Sequence, residues 1–231
     1  MGNLSLWVDY GNAHPYSNRL HPGNGNLLRD LANRSIPTAN RPIIVTEIGY
    51  STGSPLSDRP VSETVQGKYI PRMFLENFNS GVFRTFSYEF IDQFPNPDNS
   101  EYNYGILQYN GTPKPAYTAM QNLIGILNDT TLPFTPGTLE YSLSGNTQNV
   151  RTTLLQKSDD SFYMVLWLEV PSTDQVSSQT MNLTLNTAIA QATTYLSNNS
   201  AAPIGQYSTP TQLTLTVPDS PLIVKLSPRL A

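Results

Sequence analysis

Pro42-Ile43-Ile44-Val45-Thr46-Glu47-Ile48-Gly49-Tyr50-Ser51 is the stretch whose reading decides the fold. Three consecutive β-branched apolar residues, Ile43 to Val45, read as a strand buried on both faces, the pattern of a parallel sheet. The run stops at Thr46-Glu47, and Gly49 and Ser51 follow as turn residues. Glu47 therefore stands at the C-terminal mouth of a buried strand. There it either caps the next helix or forms an ion pair, or it is a chemical group, because parallel α/β barrels keep their catalytic side chains at that end of the strands.

Working outward, Leu4-Ser5-Leu6-Trp7-Val8-Asp9 alternates apolar and polar residues and predicts a strand with Trp7 in the core. It breaks at Gly11-Asn12-Ala13-His14-Pro15-Tyr16, so its C-terminal end would present Asp9, Asn12, His14 and Tyr16. Leu27 to Ala32 has helical periodicity. Beyond the central strand, Ser51 to Pro60 is a polar loop, and Ser62-Glu63-Thr64 opens a helix reaching Phe78. Its Tyr69, Ile70, Met73, Phe74 and Phe78 recur at three and four residues and define a core face. Pro71 predicts a kink or a split in that helix, and Gly81 its end. Val82 to Phe90 is a third strand, ending at Glu89 and Asp92; Asn110-Gly111 is a tight turn, and Ala116 to Leu127 a last helix. Three strand–helix units in series predict a parallel sheet.

After Asn128-Asp129-Thr130-Thr131 the helical signals vanish. Pro133 and Pro136-Gly137 form a linker, and Leu139–Leu143, Val150–Gln156, Phe162–Val170, Thr180–Leu185, Leu213–Val217 and Leu222–Leu226 are short alternating runs. Ala188 to Ala190 extends a strand or forms a brief helix, and Trp167 reads as core. This spacing predicts an antiparallel β-sandwich. The expected organisation is α/β for residues 1–130 and all-β for residues 131–231.

Composition narrows the function classes. Only 13% of the 231 residues are charged, the net charge is −4, and no basic stripe is present, so a nucleic-acid partner is not expected. There is no cysteine and there are two histidines, which removes thiolate metal sites and a His-rich site. The loop carboxylates Asp92, Asp98 and Glu101 lack the ligand spacing of a calcium loop. No metal or cofactor is expected. No apolar run is long enough to span a membrane. Asn, Ser, Thr and Tyr dominate over Lys, a texture that suits an extracellular or periplasmic protein, although the first residues carry no charged leader and no cleavage pattern.

His14-Pro15-Tyr16, then Thr46-Glu47-Ile48-Gly49-Tyr50, then Arg84-Thr85-Phe86-Ser87-Tyr88-Glu89 resembles the last three strands of a retaining glycoside hydrolase. The superfamily is that of the cellulase-like (β/α)8 barrels with two catalytic glutamates. Gly105-Ile106-Leu107 and Asn110-Gly111-Thr112-Pro113-Lys114-Pro115-Ala116-Tyr117 is similar to their common ending. The resemblance covers residues 4 to 128. It implies a partial (β/α) TIM-like barrel with Glu47 as nucleophile, His14 and Tyr16 lining the sugar subsite and Tyr88 as a stacking platform. Asp9 and Asn12 would hydrogen-bond sugar hydroxyls, and the partner would be an oligo- or polysaccharide. A β-sandwich after the barrel also recurs in that superfamily.

The chain departs from the family by lacking the first five strands of a fold of about 250 residues. Those strands carry the acid/base glutamate. Three resolutions stay open: a fragment without chemistry, a homo-oligomer or second subunit that completes the barrel, or a substitute acid on the third strand, Glu89 or Asp92. A non-catalytic carbohydrate-binding protein is the alternative function.

Overall fold

The computed structural model describes residues 3–131 and 133–229. The chain divides into two compact units, Met1–Tyr117 and Thr118–Ala231.

The first unit is built on a three-stranded sheet in the order β1-β2-β3. Its strands are β1 (Gly11–Ala13), β2 (Ile43–Ile48) and β3 (Arg84–Ser87), and both pairings are parallel. Helices α1 (Asn26–Ser35) and α2 (Glu63–Asn79) make the crossovers that parallel neighbours require. Ile43, Val45 and Ile48 are buried, with Val45 at 0% exposure, while Ile44 is half-buried. The sequence reading of two buried faces thus holds for one face only.

The strand expected at Leu4–Asp9 forms instead at Gly11–Ala13. Leu4 is tied to Pro37 and Trp7 turns back onto Leu4, leaving Leu6 and Trp7 85% and 81% exposed. Trp7 is therefore not a core residue. Register is set at Gly11, which pairs with Ile43 so closely that an added methyl would run into the Ile43 side chain. Alternation alone could not detect that constraint.

Helix α2 begins where its sequence signals place it. The Ser62 hydroxyl accepts from the Val65 amide at 3.1 Å, satisfying one of the free donors of the first turn. The helix runs unbroken through Pro71 to Asn79 rather than splitting. Pro71 removes one backbone hydrogen bond, but every residue from Val65 to Met73 is buried, and packing on that scale outweighs a single lost bond. Phe78, expected on the core face, is 58% exposed in the last turn.

In the second unit α3 (Pro115–Leu127, its first turn still in the first unit) leads into eight antiparallel strands. A three-stranded sheet has the order β10-β7-β4 and a five-stranded one the order β5-β6-β11-β8-β9. The strands are β4 (Tyr141–Gly145), β5 (Val150–Gln156), β6 (Phe162–Leu168), β7 (Ser178–Leu185), β8 (Ile189–Leu196), β9 (Pro203–Ser208), β10 (Gln212–Pro218) and β11 (Leu222–Pro228). Alternate residues of both sheets meet in one apolar cluster: Met164 and Leu166 of β6, Val224 of β11, Met181 and Leu183 of β7, Leu215 of β10. Each such side chain contributes roughly 1.5–3 kcal/mol on burial. Trp167 is fully buried and its indole donates to Glu169 at 2.7 Å. Lys157 Nζ reaches the Ile126 carbonyl at 2.8 Å, placing a cation on the last turn of α3.

Candidate active site

Glu47 is set by an irregularity in β2. Val45 pairs with Thr85 and Ile48 with Ser87, so β2 spends one more residue than β3 over the same span. An extra residue in a strand is a β-bulge, and it flips the side-chain alternation beyond it. Without it Glu47 would share the buried face of Ile43 and Val45. With it Ile48 takes that face and Glu47 turns out, its side chain 39% exposed.

Two side chains from just beyond β1, Tyr16 and His14, meet it, and Asn12 of β1 joins through Thr46. The Tyr16 phenol donates to Glu47 Oε1 at 2.7 Å, a distance typical of a hydroxyl bonded to an ionised carboxylate. His14 Nδ1 lies 3.9 Å from Glu47 Oε2. His14 Nε2 contacts Thr46 Oγ1 at 2.8 Å, and Thr46 Oγ1 donates to Asn12 Oδ1 at 2.8 Å. Because the threonine proton is spent on Asn12, Nε2 must be the donor to Thr46, which fixes the histidine orientation. Burial, followed by the Glu47 contact, raises the Tyr16 hydroxyl far above its ordinary range, so it remains a phenol and a donor.

Tyr104 forms the floor between the two strand ends. Its ring meets Tyr16 edge-on at 5.8 Å and Tyr88 at 5.5 Å. Gln66 of α2, fully buried, donates to the Tyr50 carbonyl at 2.9 Å and the Gly105 carbonyl at 3.1 Å. It thereby ties the segment after β2 to the segment carrying Tyr104.

After β3 the peptide between Tyr88 and Glu89 is cis. Gln93 Nε2 donates to Tyr88 Oη at 2.8 Å and to Glu89 Oε2 at 3.1 Å. Burial raises the Glu89 pKa, Gln93 opposes it, and the charges of Asp92 and Glu101 add to the rise. Asp92 is held by Lys114: the two make a 2.8 Å ion pair at 8% and 1% side-chain exposure, and Asp92 Oδ1 also accepts from the Gly105 amide at 2.9 Å.

Of the residues singled out in the sequence, Tyr16 is hydrogen-bonded to Glu47 and Asn12 is linked to His14 through Thr46, and the two sets meet where His14 Nδ1 lies 3.9 Å from Glu47 Oε2. Tyr88 joins Tyr16 through Tyr104, while Glu89 bonds to Gln93 on the β3 side. Asp9 lies exposed in the bend before β1 and takes no part in this network. Asp92 belongs to Lys114, and Asp98 accepts from Ser54 at 2.5 Å. Among the described residues no group of three or more His, Asp or Glu is placed to hold a metal. Sequence reasoning missed Thr46, Gln93, Tyr104 and Lys114. Only Thr46 carried a signal, its position next to Glu47; the others reach the site from loops.

No family model matches the chain, and no curated protein matches it. Solved structures do. A family 39 glycoside hydrolase from the gut symbiont Bacteroides cellulosilyticus WH2 superposes with a TM-score of 0.64 at 18% identity, covering 94% of this chain and 44% of its own. A glucosidase from Croceicoccus marinus gives 0.62 at 11% identity, covering 99% and 56%. The chain has a glycosidase-like fold, and it spans about half the length of the solved structures it matches.

Proposed function

We propose that this chain is a glycoside hydrolase-like protein in which Glu47 is the nucleophile of a retaining reaction on β-linked glycans. The architecture behind that reading is a partial (β/α) barrel followed by a β-sandwich. The observation that carries it is the 2.7 Å bond from Tyr16 to Glu47 at the C-terminal end of a parallel strand, with His14 beside it. A carboxylate that must attack an anomeric carbon has to be aimed, and a phenol donating to one oxygen fixes its direction while leaving the other oxygen available. Tyr88 serves as a stacking platform, and Asn12 orients His14 through Thr46.

Retaining hydrolysis needs a second carboxyl about 5–5.5 Å from the nucleophile to protonate the leaving oxygen. Glu89 is the internal candidate, because a carboxyl whose pKa is raised by burial carries its proton further toward neutrality. The other source is a barrel-completing subunit or a second copy of the chain. β1 and β3 are open edges of the parallel sheet, and unpaired strand edges invite pairing with another chain.

The second reading is a non-catalytic carbohydrate-binding protein that keeps the cleft and lacks an acid. It is favoured by the position of Glu89, the internal candidate acid, which bonds to Gln93 on the β3 side and not to the Glu47 group. The test is hydrolysis of aryl β-glycosides and β-glucans by purified protein, with Glu47→Gln run in parallel across a dilution series. Activity lost in the variant supports the nucleophile; specific activity that also falls on dilution supports completion between chains. Rates equal to the variant's on every substrate refute the catalytic reading.

A further inference from the structure

We propose that a cleft on the first unit, separate from the Glu47 group, is a second carbohydrate-binding site for one or two neutral sugar rings. The cleft has a volume of about 360 Å³ and is bounded by Thr52 after β2, Glu63 in the first turn of α2, the loop after β3 and the turn at Gln108–Asn110. That volume falls within the range of small-molecule sites, about 300–1,000 Å³. None of Glu47, Tyr16, His14 or Tyr88 lines it.

Its chemistry suits a pyranose, which offers an apolar C–H face and a rim of hydroxyl groups. Two aromatic rings, Phe94 and Tyr109, line the cleft, each 53% exposed. Among the carboxylates, Asp92 Oδ1 is taken by Lys114 and the Gly105 amide, and Glu63 Oε1 accepts from Gln108 at 3.1 Å. Their second oxygens, Asp92 Oδ2 and Glu63 Oε2, carry no hydrogen bond among the described residues. Asn110 Oδ1 is taken by the Thr112 amide at 2.9 Å, which leaves the Asn110 amide group to donate. Acceptors and a donor thus stand beside aromatic faces.

The walls are pre-organised. Thr52 N donates to the Asn103 carbonyl at 2.9 Å, and Ser54 N to the Pro97 carbonyl at 2.7 Å. Asn103 Nδ2 holds the Asn96 and Asn99 carbonyls at 2.8 and 2.7 Å. Pro95 and Pro97 stiffen the same loop. A cleft already held open loses little ordering entropy when a ligand enters. Lys114 offsets Asp92, so Glu63 leaves the lining net negative, which selects neutral sugars over uronic acids. The choice of carbohydrate rests on the glycosidase reading above; the cleft and its donors and acceptors do not.

The experiment is a titration of the full-length ¹⁵N-labelled chain with cellobiose, laminaribiose, xylobiose and digalacturonic acid. The side-chain amides of Asn103, Gln108 and Asn110 serve as reporters. A neutral disaccharide should shift these resonances saturably, with digalacturonic acid bound more weakly. Tyr109→Ala should weaken that binding by about fivefold, the scale of a lost aromatic face, and Asn110→Ala, at an exposed position, should also weaken it. Glu47→Gln should leave the reporters' titration unchanged. Shifts confined to the backbone around His14, Tyr16 and Glu47 overturn the second site while leaving the glycosidase reading intact. No shift at the reporters with any sugar also overturns it, whatever the hydrolysis assay returns.

Discussion

Lys114→Met removes the cation of a buried ion pair and leaves its partner behind. Lys114 and Asp92 lie 2.8 Å apart at 1% and 8% side-chain exposure, so when one charge is deleted water reaches the other only where Asp92 lines the cleft. Breaking a buried pair by removing one partner costs about 3–5 kcal/mol, mostly the penalty of the uncompensated charge. The Gly105 amide still donates to Asp92, which places the expected loss near the lower bound, about 3 kcal/mol at pH 7. The sign of the pH dependence follows from Asp92. Burial already pushes its pKa upward despite Lys114, and deleting Lys114 removes the main opposing influence. An acid with a raised folded pKa destabilises the fold progressively as pH rises through that value, so the loss should shrink on going from pH 7 toward pH 4. Amide exchange of peptides covering β2 and β3 measures the local free energy. The double variant Asp92→Leu with Lys114→Met should recover most of the loss, because an apolar pair replaces an ionic one without stranding a charge. A single variant within about 0.5 kcal/mol of wild type at pH 7, with no pH dependence, would refute the reasoning.

Three further outcomes are expected. Tyr16→Phe keeps the ring against Tyr104 but deletes a 2.7 Å bond to Glu47; bonds to charged groups contribute about 1.5–3 kcal/mol, so kcat/KM on an aryl β-glycoside should fall roughly tenfold to hundredfold with an unchanged circular dichroism spectrum. Glu89 is held above the ordinary glutamate value of 4.5, first by burial, so it favours the folded state at low pH and loses that contribution as pH rises from 4.5 through its folded pKa. Glu89→Gln should flatten the melting temperature between pH 4 and pH 7, and an unaltered slope would exclude Glu89 as its origin. Gly49→Ala sets a methyl against the Tyr88 carbonyl oxygen where β2 meets β3; about 1–3 kcal/mol of overpacking is expected, read as a lower urea midpoint.

Legibility in the sequence followed the source of each signal. Local signals found α1, α2, α3, β2, β5 and β6: helical spacing marked the helices, and runs of apolar or alternating residues marked the strands, β6 being buried at every position. They failed at Leu4–Asp9, where the alternating residues turn back with Leu6 and Trp7 exposed and the strand forms at Gly11–Ala13, paired to Ile43–Val45, a pairing between segments that local alternation does not encode. They missed β9 entirely: Pro203-Ile204-Gly205-Gln206-Tyr207-Ser208 is almost wholly exposed, and an edge strand has no buried face to reveal it, while Pro and Gly mask it further. At the candidate site Glu47, His14 and Tyr16 were readable as words at strand ends. Gln93, Tyr104 and Lys114 were not, since each acts through a loop whose path no single-sequence pattern encodes. Neither was the bulge that aims Glu47, because it exists only in the pairing of two strands.

The order β1-β2-β3 places Glu47 on the middle strand. Both neighbours that fix its height and direction, β1 through Tyr16 and His14 and β3 through the bulge, come from the same 117-residue unit. The aim of the carboxylate is consequently insulated from whatever joins at the outer edges. Such a unit is a self-aligned cassette: a fusion made at the β1 or β3 edge leaves the direction of the Glu47 side chain unchanged.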